Sequence, residues 1–307
     1  MRKPRALRPG DRIAIVAPAS SFARDQFDRG VAELTRLGFV PVFDEDVFAS
    51  ESGYLAGSPE IRAASFMKHW MDPDIAALLA VRGGYGSVHL LPLLDPAAVV
   101  GSAKLFVGYS DNTSLLSWLT CQCAITALHG PMLDGRLARG PAGYDERSFL
   151  ALTSDGRGLE LSPDGLEALR DGDVRGPLFG GTITQIVASL GTPFAFDPPE
   201  GCVLFLEEVN ERPFRLDRML TQLRLSGVLG RARALVFGEM RGCDEPGGTV
   251  TARAVIARMT TDVPGPVVFG FPSGHTTGPC WTLPLGVDVR VVTRPRPSIV
   301  IEEAAVE

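Results

Sequence analysis

A serine lies on a tight turn at residues 108–112, which read Gly-Tyr-Ser-Asp-Asn. The apolar run before the turn predicts a strand, and a helix is predicted to begin at Thr113. A strand-turn-helix of this kind holds the Ser110 hydroxyl in strained geometry at the carboxyl edge of a sheet, where a carbonyl group can reach it. The segment is similar to the nucleophile elbow G-x-S-x-G, with asparagine in place of the second glycine. The alternative is that Ser110 or Asp111 only caps the following helix.

A nucleophilic serine needs a base, and the chain offers four histidines, His69, His89, His129 and His275. The first two lie on predicted helices, where a packing role is expected. His275 differs because it lies in a glycine-containing loop, residues 270–278, directly after the predicted strand Val267–Phe269. Such loops permit unusual backbone angles and often carry function. His275 is therefore the candidate base, and a solvated loop histidine is the alternative.

Two glutamates follow the apolar run Cys202–Leu206, which predicts a buried strand. A carboxylate at the end of such a strand can fix the tautomer of a histidine base and stabilise its charged form. Side chains alternate across a strand, so only one of Glu207 and Glu208 can face the site. The pattern alone does not choose between them, and two solvent-facing acids are the alternative.

A glycine-rich segment, Arg82–Ser87, follows the predicted strand Ile75–Val81. Its backbone N–H groups can point at a negative oxygen, which favours an oxyanion hole. The segment fits neither the dinucleotide pattern G-x-G-x-x-G nor a phosphate loop, which needs a following Lys-Ser/Thr pair. Arg82 is a candidate partner for a substrate carboxylate, and an ion pair that braces the loop is the alternative.

The composition is that of an ordinary soluble globular protein, with 45% hydrophobic and 21% charged residues among 307. A net charge of −6 provides no basic surface for nucleic acid. No run is long enough to span a membrane. Five cysteines without a C-x-x-C pair predict reduced thiols, and the absence of a signal sequence predicts a cytoplasmic location. Isolated histidines without H-E-x-x-H spacing predict neither a metal nor a cofactor.

Strand and helix patterns alternate through the first half, which predicts a parallel sheet wrapped by helices. Residues 140–175 are rich in Gly, Asp, Pro and Ser and predict a linker. The second half combines two helical patterns with several strands at hairpin-like spacing. The predicted fold class is α/β, with an N-terminal parallel-sheet domain at 1–142, a linker at 143–174 and a C-terminal mixed α/β domain, rich in strands, at 175–307.

Six groups of residues in this order resemble the LD-carboxypeptidase family of serine peptidases, over nearly the whole chain. They are Pro9-Gly10-Asp11 with Ala17-Pro18, Arg82-Gly83-Gly84-Tyr85-Gly86, Gly108-Tyr109-Ser110-Asp111, His129-Gly130-Pro131, Leu206-Glu207, and Gly274-His275 with Leu283-Pro284-Leu285-Gly286. One difference is Gly180-Gly181-Thr182-Ile183, where relatives usually read Gly-Gly-Asn-Leu, and it is expected to alter the pocket without touching the predicted catalytic residues.

The resemblance implies a Ser-Glu-His triad made of Ser110, Glu207 and His275. It also implies that the backbone N–H groups of Gly84 and Asp111 form the oxyanion hole, and that the protein is a homodimer without a cofactor. Substrate contacts are expected from three residues of the glycine-rich segment, Arg82, Gly83 and Tyr85.

The activity implied is hydrolysis of the amide bond before the C-terminal D-amino acid of a murein tetrapeptide, in peptidoglycan recycling. Two alternatives remain open. One is cleavage of an aminoacyl-nucleotide amide, as in the microcin C immunity peptidases, for which Trp281 is a candidate shelf for the base. The other is a catalytically silent relative that binds a peptide.

Overall fold

The computed structural model describes residues 1–307, which form fourteen strands and eight α-helices. The strands are β1 Arg12–Val16, β2 Val40–Val42, β3 Ile75–Ala80, β4 Leu105–Gly108, β5 Ala127–His129, β6 Glu160–Leu161, β7 Glu167–Arg170, β8 Asp173–Thr182, β9 Cys202–Glu207, β10 Ala232–Gly238, β11 Val267–Phe271, β12 Leu283–Leu285, β13 Asp288–Val292 and β14 Ser298–Ile301. The helices are α1 Arg24–Arg36, α2 Pro59–Met71, α3 Pro96–Gly101, α4 Thr113–Ser117, α5 Glu146–Ser154, α6 Ile183–Ser189, α7 Pro213–Leu225 and α8 Ala252–Met259.

The first sheet has six strands in the order β12-β5-β4-β3-β1-β2. Strands β1 to β5 are parallel, whereas β12 comes from the other end of the chain and pairs antiparallel with β5. Helix starts between these strands have local signals, such as Pro59 in the first turn of α2 after Ser58, whose side chain accepts from the Ile61 N–H. Because β3 and β4 are parallel neighbours, the glycine-rich segment and the serine turn that follow them lie at the same edge of the sheet.

The second sheet has eight strands in the order β6-β14-β13-β8-β9-β10-β11-β7. Strands β8 to β11 are parallel, with α6, α7 and α8 as the successive connections. The remaining strands pair antiparallel at the two sides. The predicted fold class, a parallel-sheet α/β domain followed by a mixed α/β domain rich in strands, is confirmed.

The central strand β9 buries both of its faces, and the two faces pack against different parts of the molecule. Val203 and Phe205 belong to an apolar core that is continuous with the first sheet. Cys202, Leu204 and Leu206 face a second core built with helices α6 to α8. Because side chains alternate along a strand, each residue of β9 faces either the first sheet or this helical layer.

Three local predictions need correction or comment. Of the strands predicted with hairpin-like spacing, only β13 and β14 form a hairpin, because α7 and α8 separate the parallel strands β9, β10 and β11. The apolar pattern over Val88–Leu94 predicts a helix, and the structure has a 3₁₀ helix there, Ser87–Leu93, in which Pro92 lacks the N–H that an α-helix needs. Residues 143–174 contain α5, β6 and β7, and these two strands form the edges of the second sheet. The predicted domain limits stay a prediction.

None of the helices combines the length and the apolar character that a bilayer crossing requires.

Candidate active site

Ser110 is separated from the end of β4 by Tyr109 and adopts a φ of 63°, in the left-handed region that L-residues rarely occupy. The turn is held by the Asn112 amide, which donates to the carbonyl of Tyr109 at 3.3 Å and to that of Arg82 at 3.1 Å. The backbone is therefore strained at the serine, and neighbouring hydrogen bonds keep it so. Helix α4 begins at Thr113, immediately after this turn.

The glycine-rich segment touches the serine turn directly. A Cβ atom on Gly83 would lie 2.9 Å from the Ser110 Oγ, so only glycine fits there without displacement. Gly84 has a φ of 100°, and a Cβ on it would lie 2.3 Å from the Ser20 Oγ. The backbone N–H groups of Gly84 and Asp111 have no acceptor within the protein, unlike most backbone donors. Two free donors thus flank the serine.

The side chain of Asp111 joins the two segments. Its carboxylate accepts from the N–H of Ser87 at 2.8 Å and from that of Gly86 at 3.3 Å. The Ser87 hydroxyl donates in return to the Asp111 carbonyl at 2.6 Å. Burial raises the pKa of Asp111, while these N–H groups and the nearby Arg62 oppose that rise. This bracing role was missed, because the resemblance points only to the backbone of Asp111.

Glu207 and His275 lie together at the boundary between the two sheets. The His275 Nδ1 lies 2.8 Å from the Glu207 Oε2, which also accepts from the His275 backbone N–H at 3.0 Å. Burial alone raises the pKa of a carboxyl, but the charge and hydrogen bond of His275 hold the pKa of Glu207 well below its usual range. The Glu207 carboxylate therefore remains ionised beside the ring.

The alternation along β9 explains which glutamate meets the histidine. Glu207 follows Val203 and Phe205 on the face towards the first sheet, whereas Glu208 lies on the side of the helical layer. The Glu208 carboxylate accepts from the N–H of Thr184 at 2.8 Å and from its hydroxyl at 2.6 Å. These two hydrogen bonds anchor the start of α6, and burial raises the pKa of Glu208.

A chain of hydrogen bonds connects the serine turn with the glutamate. The N–H of Thr182 donates to the Thr113 hydroxyl at 3.1 Å, and the Thr182 hydroxyl donates to the other Glu207 oxygen. The Tyr109 ring lies 5.2 Å from the His275 ring, measured between centroids. The residue before Ser110 thus contacts the histidine directly. Thr182 occupies the position where the family usually has asparagine, and no local pattern indicates that it contacts Glu207.

A second histidine lies behind the pair. His129 is fully buried, its Nδ1 lies 2.8 Å from the Ser273 Oγ, and its Nε2 has no partner. A Cβ on Gly274 would lie 3.0 Å from its Cε1 and 2.8 Å from the Glu207 carboxyl carbon. Burial lowers the pKa of His129 to about 4, although Glu207 opposes the shift. His129 is therefore a neutral, buried neighbour of Glu207.

Two expected substrate-contacting side chains line the outer part of the glycine-rich segment. Arg82 donates to the Ser21 carbonyl at 3.0 Å and lies 3.8 Å from the Asp134 carboxylate, so it braces the glycine-rich segment through these contacts. Tyr85 is about half exposed and lies beside Tyr54, with ring centroids 6.3 Å apart. Trp281 is partly buried and packs edge-to-face on Phe271.

No group of three or more histidine, cysteine, aspartate or glutamate side chains has the arrangement of a metal site. The five cysteines are all unpaired.

Comparison with known proteins places this geometry in a family. Residues 13–130 match the N-terminal domain of the LD-carboxypeptidase family and residues 175–291 match its C-terminal domain. A putative carboxypeptidase of Synechocystis is 34% identical to the chain, over 89% of each protein. The chain belongs to the LD-carboxypeptidase family.

Solved structures agree with this assignment. The muramoyltetrapeptide carboxypeptidase of Oxalobacter formigenes is 30% identical, with a TM-score of 0.82 over 94% of this chain and 97% of that one. The microcin C7 self-immunity protein MccF in complex with aspartyl sulfamoyl adenosine has a TM-score of 0.91 over 100% of both chains, at 24% identity. At that identity the second likeness shows the fold alone. The LD-carboxypeptidase family is a peptidase family, so the protein is a peptidase.

Proposed function

We propose that the protein is a serine LD-carboxypeptidase that removes the C-terminal D-amino acid of a murein tetrapeptide. The observation that carries this proposal is the position of Ser110, in a strained turn between the free N–H groups of Gly84 and Asp111. The hydrogen-bonded pair of Glu207 and His275 contacts Tyr109, the residue before Ser110.

In the first half of the reaction, the His275 Nε2 takes the proton of the Ser110 hydroxyl as its oxygen attacks the carbonyl before the terminal residue. Glu207 holds the Nδ1 side of the ring and stabilises the imidazolium. The N–H groups of Gly84 and Asp111 donate to the oxyanion, each contributing on the order of 10²–10³ in rate. His275 then protonates the departing amine, and the terminal amino acid leaves as the C–N bond breaks.

In the second half, His275 removes a proton from water, which attacks the ester formed on Ser110. The ester C–O bond breaks, the proton returns to the serine oxygen, and the shortened peptide leaves with a new carboxylate. The strained turn keeps the serine oxygen exposed through both halves. No step requires a group outside this chain and water.

The carboxypeptidase names of relatives at 30% identity or more favour a peptide over a nucleotide. Among the aromatic rings, Trp281 packs on Phe271 and Trp70 and Trp118 are buried, whereas Tyr54 and Tyr85 are exposed beside each other. The solved relative that is 30% identical is named a muramoyltetrapeptide carboxypeptidase. We therefore propose a role in peptidoglycan recycling in the cytoplasm.

A direct comparison of substrates tests this proposal. The purified protein is given a murein tetrapeptide ending in D-alanine, the same peptide ending in L-alanine, and an amide of aspartyl adenylate. We expect release of D-alanine from the first and negligible turnover of the other two, measured by mass spectrometry. Faster cleavage of the nucleotide amide would instead assign an immunity-type activity. Binding of the tetrapeptide without cleavage would identify a catalytically silent relative.

A further inference from the structure

A buried arginine lies beneath the loop that carries His275. Arg136 is 6% exposed and comes from the segment that follows β5, whereas the loop follows β11. Its guanidinium donates to the carbonyls of Gly274 at 2.7 Å, Thr276 at 3.2 Å and Gly278 at 3.1 Å. Its polar partners are these carbonyls and a tyrosine hydroxyl, so carbonyl dipoles rather than a carboxylate stabilise the buried charge.

Two N–H groups of the same loop point to carboxylates. The His275 N–H donates to Glu207 at 3.0 Å, and the Thr277 N–H donates to Glu239 at 2.8 Å. The Gly274–His275 and Thr276–Thr277 peptide groups thus each have the carbonyl towards Arg136 and the N–H towards a carboxylate. The histidine loop is therefore held between the Arg136 guanidinium and two carboxylates.

Arg136 also contacts the serine side of the site. Its Nε donates to the Tyr109 hydroxyl at 3.3 Å, and its Cζ lies 5.9 Å from the centre of that ring. Tyr109 precedes Ser110 in the chain, and its ring packs on the His275 ring. One side chain therefore touches both segments that carry the nucleophile and the base.

We propose that Arg136 is a positioning residue that sets the placement of His275 relative to Ser110, an inference that rests on the proposed function. A planar guanidinium bonds to several carbonyls at once, whereas a lysine ammonium is a compact point charge with a different geometry. Misplacement of a catalytic group by 1 Å costs about 10²-fold in rate. Loss of this arginine therefore acts on kcat rather than on substrate affinity.

The test compares Arg136→Ala and Arg136→Lys with Arg139→Ala, which removes an exposed arginine three positions along the chain. On the murein tetrapeptide we expect kcat to fall about 10²-fold in both Arg136 variants. KM should change by less than about threefold, because the peptide contacts are intact. Millimolar guanidinium should restore kcat of Arg136→Ala at least about tenfold, whereas methylammonium should not. Arg139→Ala should match the wild type.

A second readout separates this inference from the choice of substrate. The rate at which a fluorophosphonate labels Ser110 should fall in the Arg136 variants in the same proportion as kcat. If the wild-type protein is labelled but does not hydrolyse the peptide, the proposed substrate is rejected. The ratio of the labelling rates of the Arg136 variants and the wild type would still test the role of Arg136. Wild-type kcat in either variant, a loss confined to KM, or a loss in folded Arg136→Ala that guanidinium does not restore would overturn the inference. Circular dichroism checks the fold, and Arg136→Lys, which retains the charge, provides the kcat and labelling test if the alanine variant does not fold.

Discussion

One oxygen of Glu207 accepts two hydrogen bonds from His275, one from the ring Nδ1 at 2.8 Å and one from the backbone N–H at 3.0 Å. The carboxylate thereby fixes both the tautomer of the ring and the position of the chain that carries it. With Nδ1 donating to Glu207, Nε2 is the free basic nitrogen. Glu208, the next residue in the sequence, makes neither of these contacts.

Glu207→Gln should therefore reduce kcat about 10²–10⁴-fold, because an amide neither stabilises the imidazolium nor enforces the tautomer. Glu208→Gln is the matched control, since that residue bonds only to the start of α6 and to its own neighbour, Val209. It should retain kcat within about threefold and change mainly the melting temperature. Steady-state release of D-alanine measures both variants. The opposite ranking would assign the orienting role to Glu208.

Gly83→Ala tests the fit of the glycine-rich segment against the serine. The added methyl group would lie 2.8 Å from the Ser110 Cβ and 2.9 Å from its Oγ, so the serine must move. We expect kcat to fall about 10²-fold. Gly101→Ala is the control, because a Cβ there meets nothing within 4 Å. If Gly83→Ala is as active as Gly101→Ala, the two segments are not packed as described.

The order of strand, turn and helix around Ser110 was predictable, because β3, β4 and α4 each have a local sequence pattern and a turn separates β4 from α4. The family resemblance indicated Glu207, but the local pattern does not predict the choice between Glu207 and Glu208, because both residues follow the same apolar strand. It depends on which face of β9 meets the first sheet, and distant segments decide that. Strand β12 was missed for a similar reason, since three residues carry too little periodicity to reveal a strand that pairs with β5.

Arg136 shows a different limit of sequence-based reasoning. A single arginine in a glycine-containing stretch looks like a surface residue, and nothing local marks it as buried. Its three carbonyl partners lie about half the chain away. The contacts of Glu208 and His129 were equally unpredictable, because their partners, Thr184 and Ser273, are also distant in the sequence.

His129 predicts a pH dependence of stability. Its pKa is about 4 when folded and 6.5 as an ordinary histidine, so the unfolded chain takes up the proton first as the pH falls. Stability attributable to His129 is complete above pH 6.5 and declines between pH 6.5 and 4, by on the order of 3 kcal/mol. His129→Asn keeps a polar group towards Ser273 and should flatten this decline. Urea unfolding at several pH values measures it, and an unchanged slope would contradict the burial of a neutral imidazole.

Metal independence is a further expectation, because no cluster of ligating side chains is present. Exhaustive treatment with a chelator should leave kcat and KM unchanged. The control is a known zinc peptidase treated in parallel, which should lose its activity. Loss of activity that returns only on addition of a divalent ion would count against a serine mechanism.

Removal of the Ser110 hydroxyl tests the assignment of the nucleophile, through kcat for D-alanine release from the murein tetrapeptide. Ser110→Ala should lower kcat at least about 10³-fold, because the attacking atom is lost, while the melting temperature stays close to that of the wild type. Ser114→Ala, which removes a half-buried hydroxyl one helical turn further on, should retain full activity. A folded Ser110→Ala protein that releases D-alanine at the wild-type rate would contradict the assignment of Ser110 as the nucleophile.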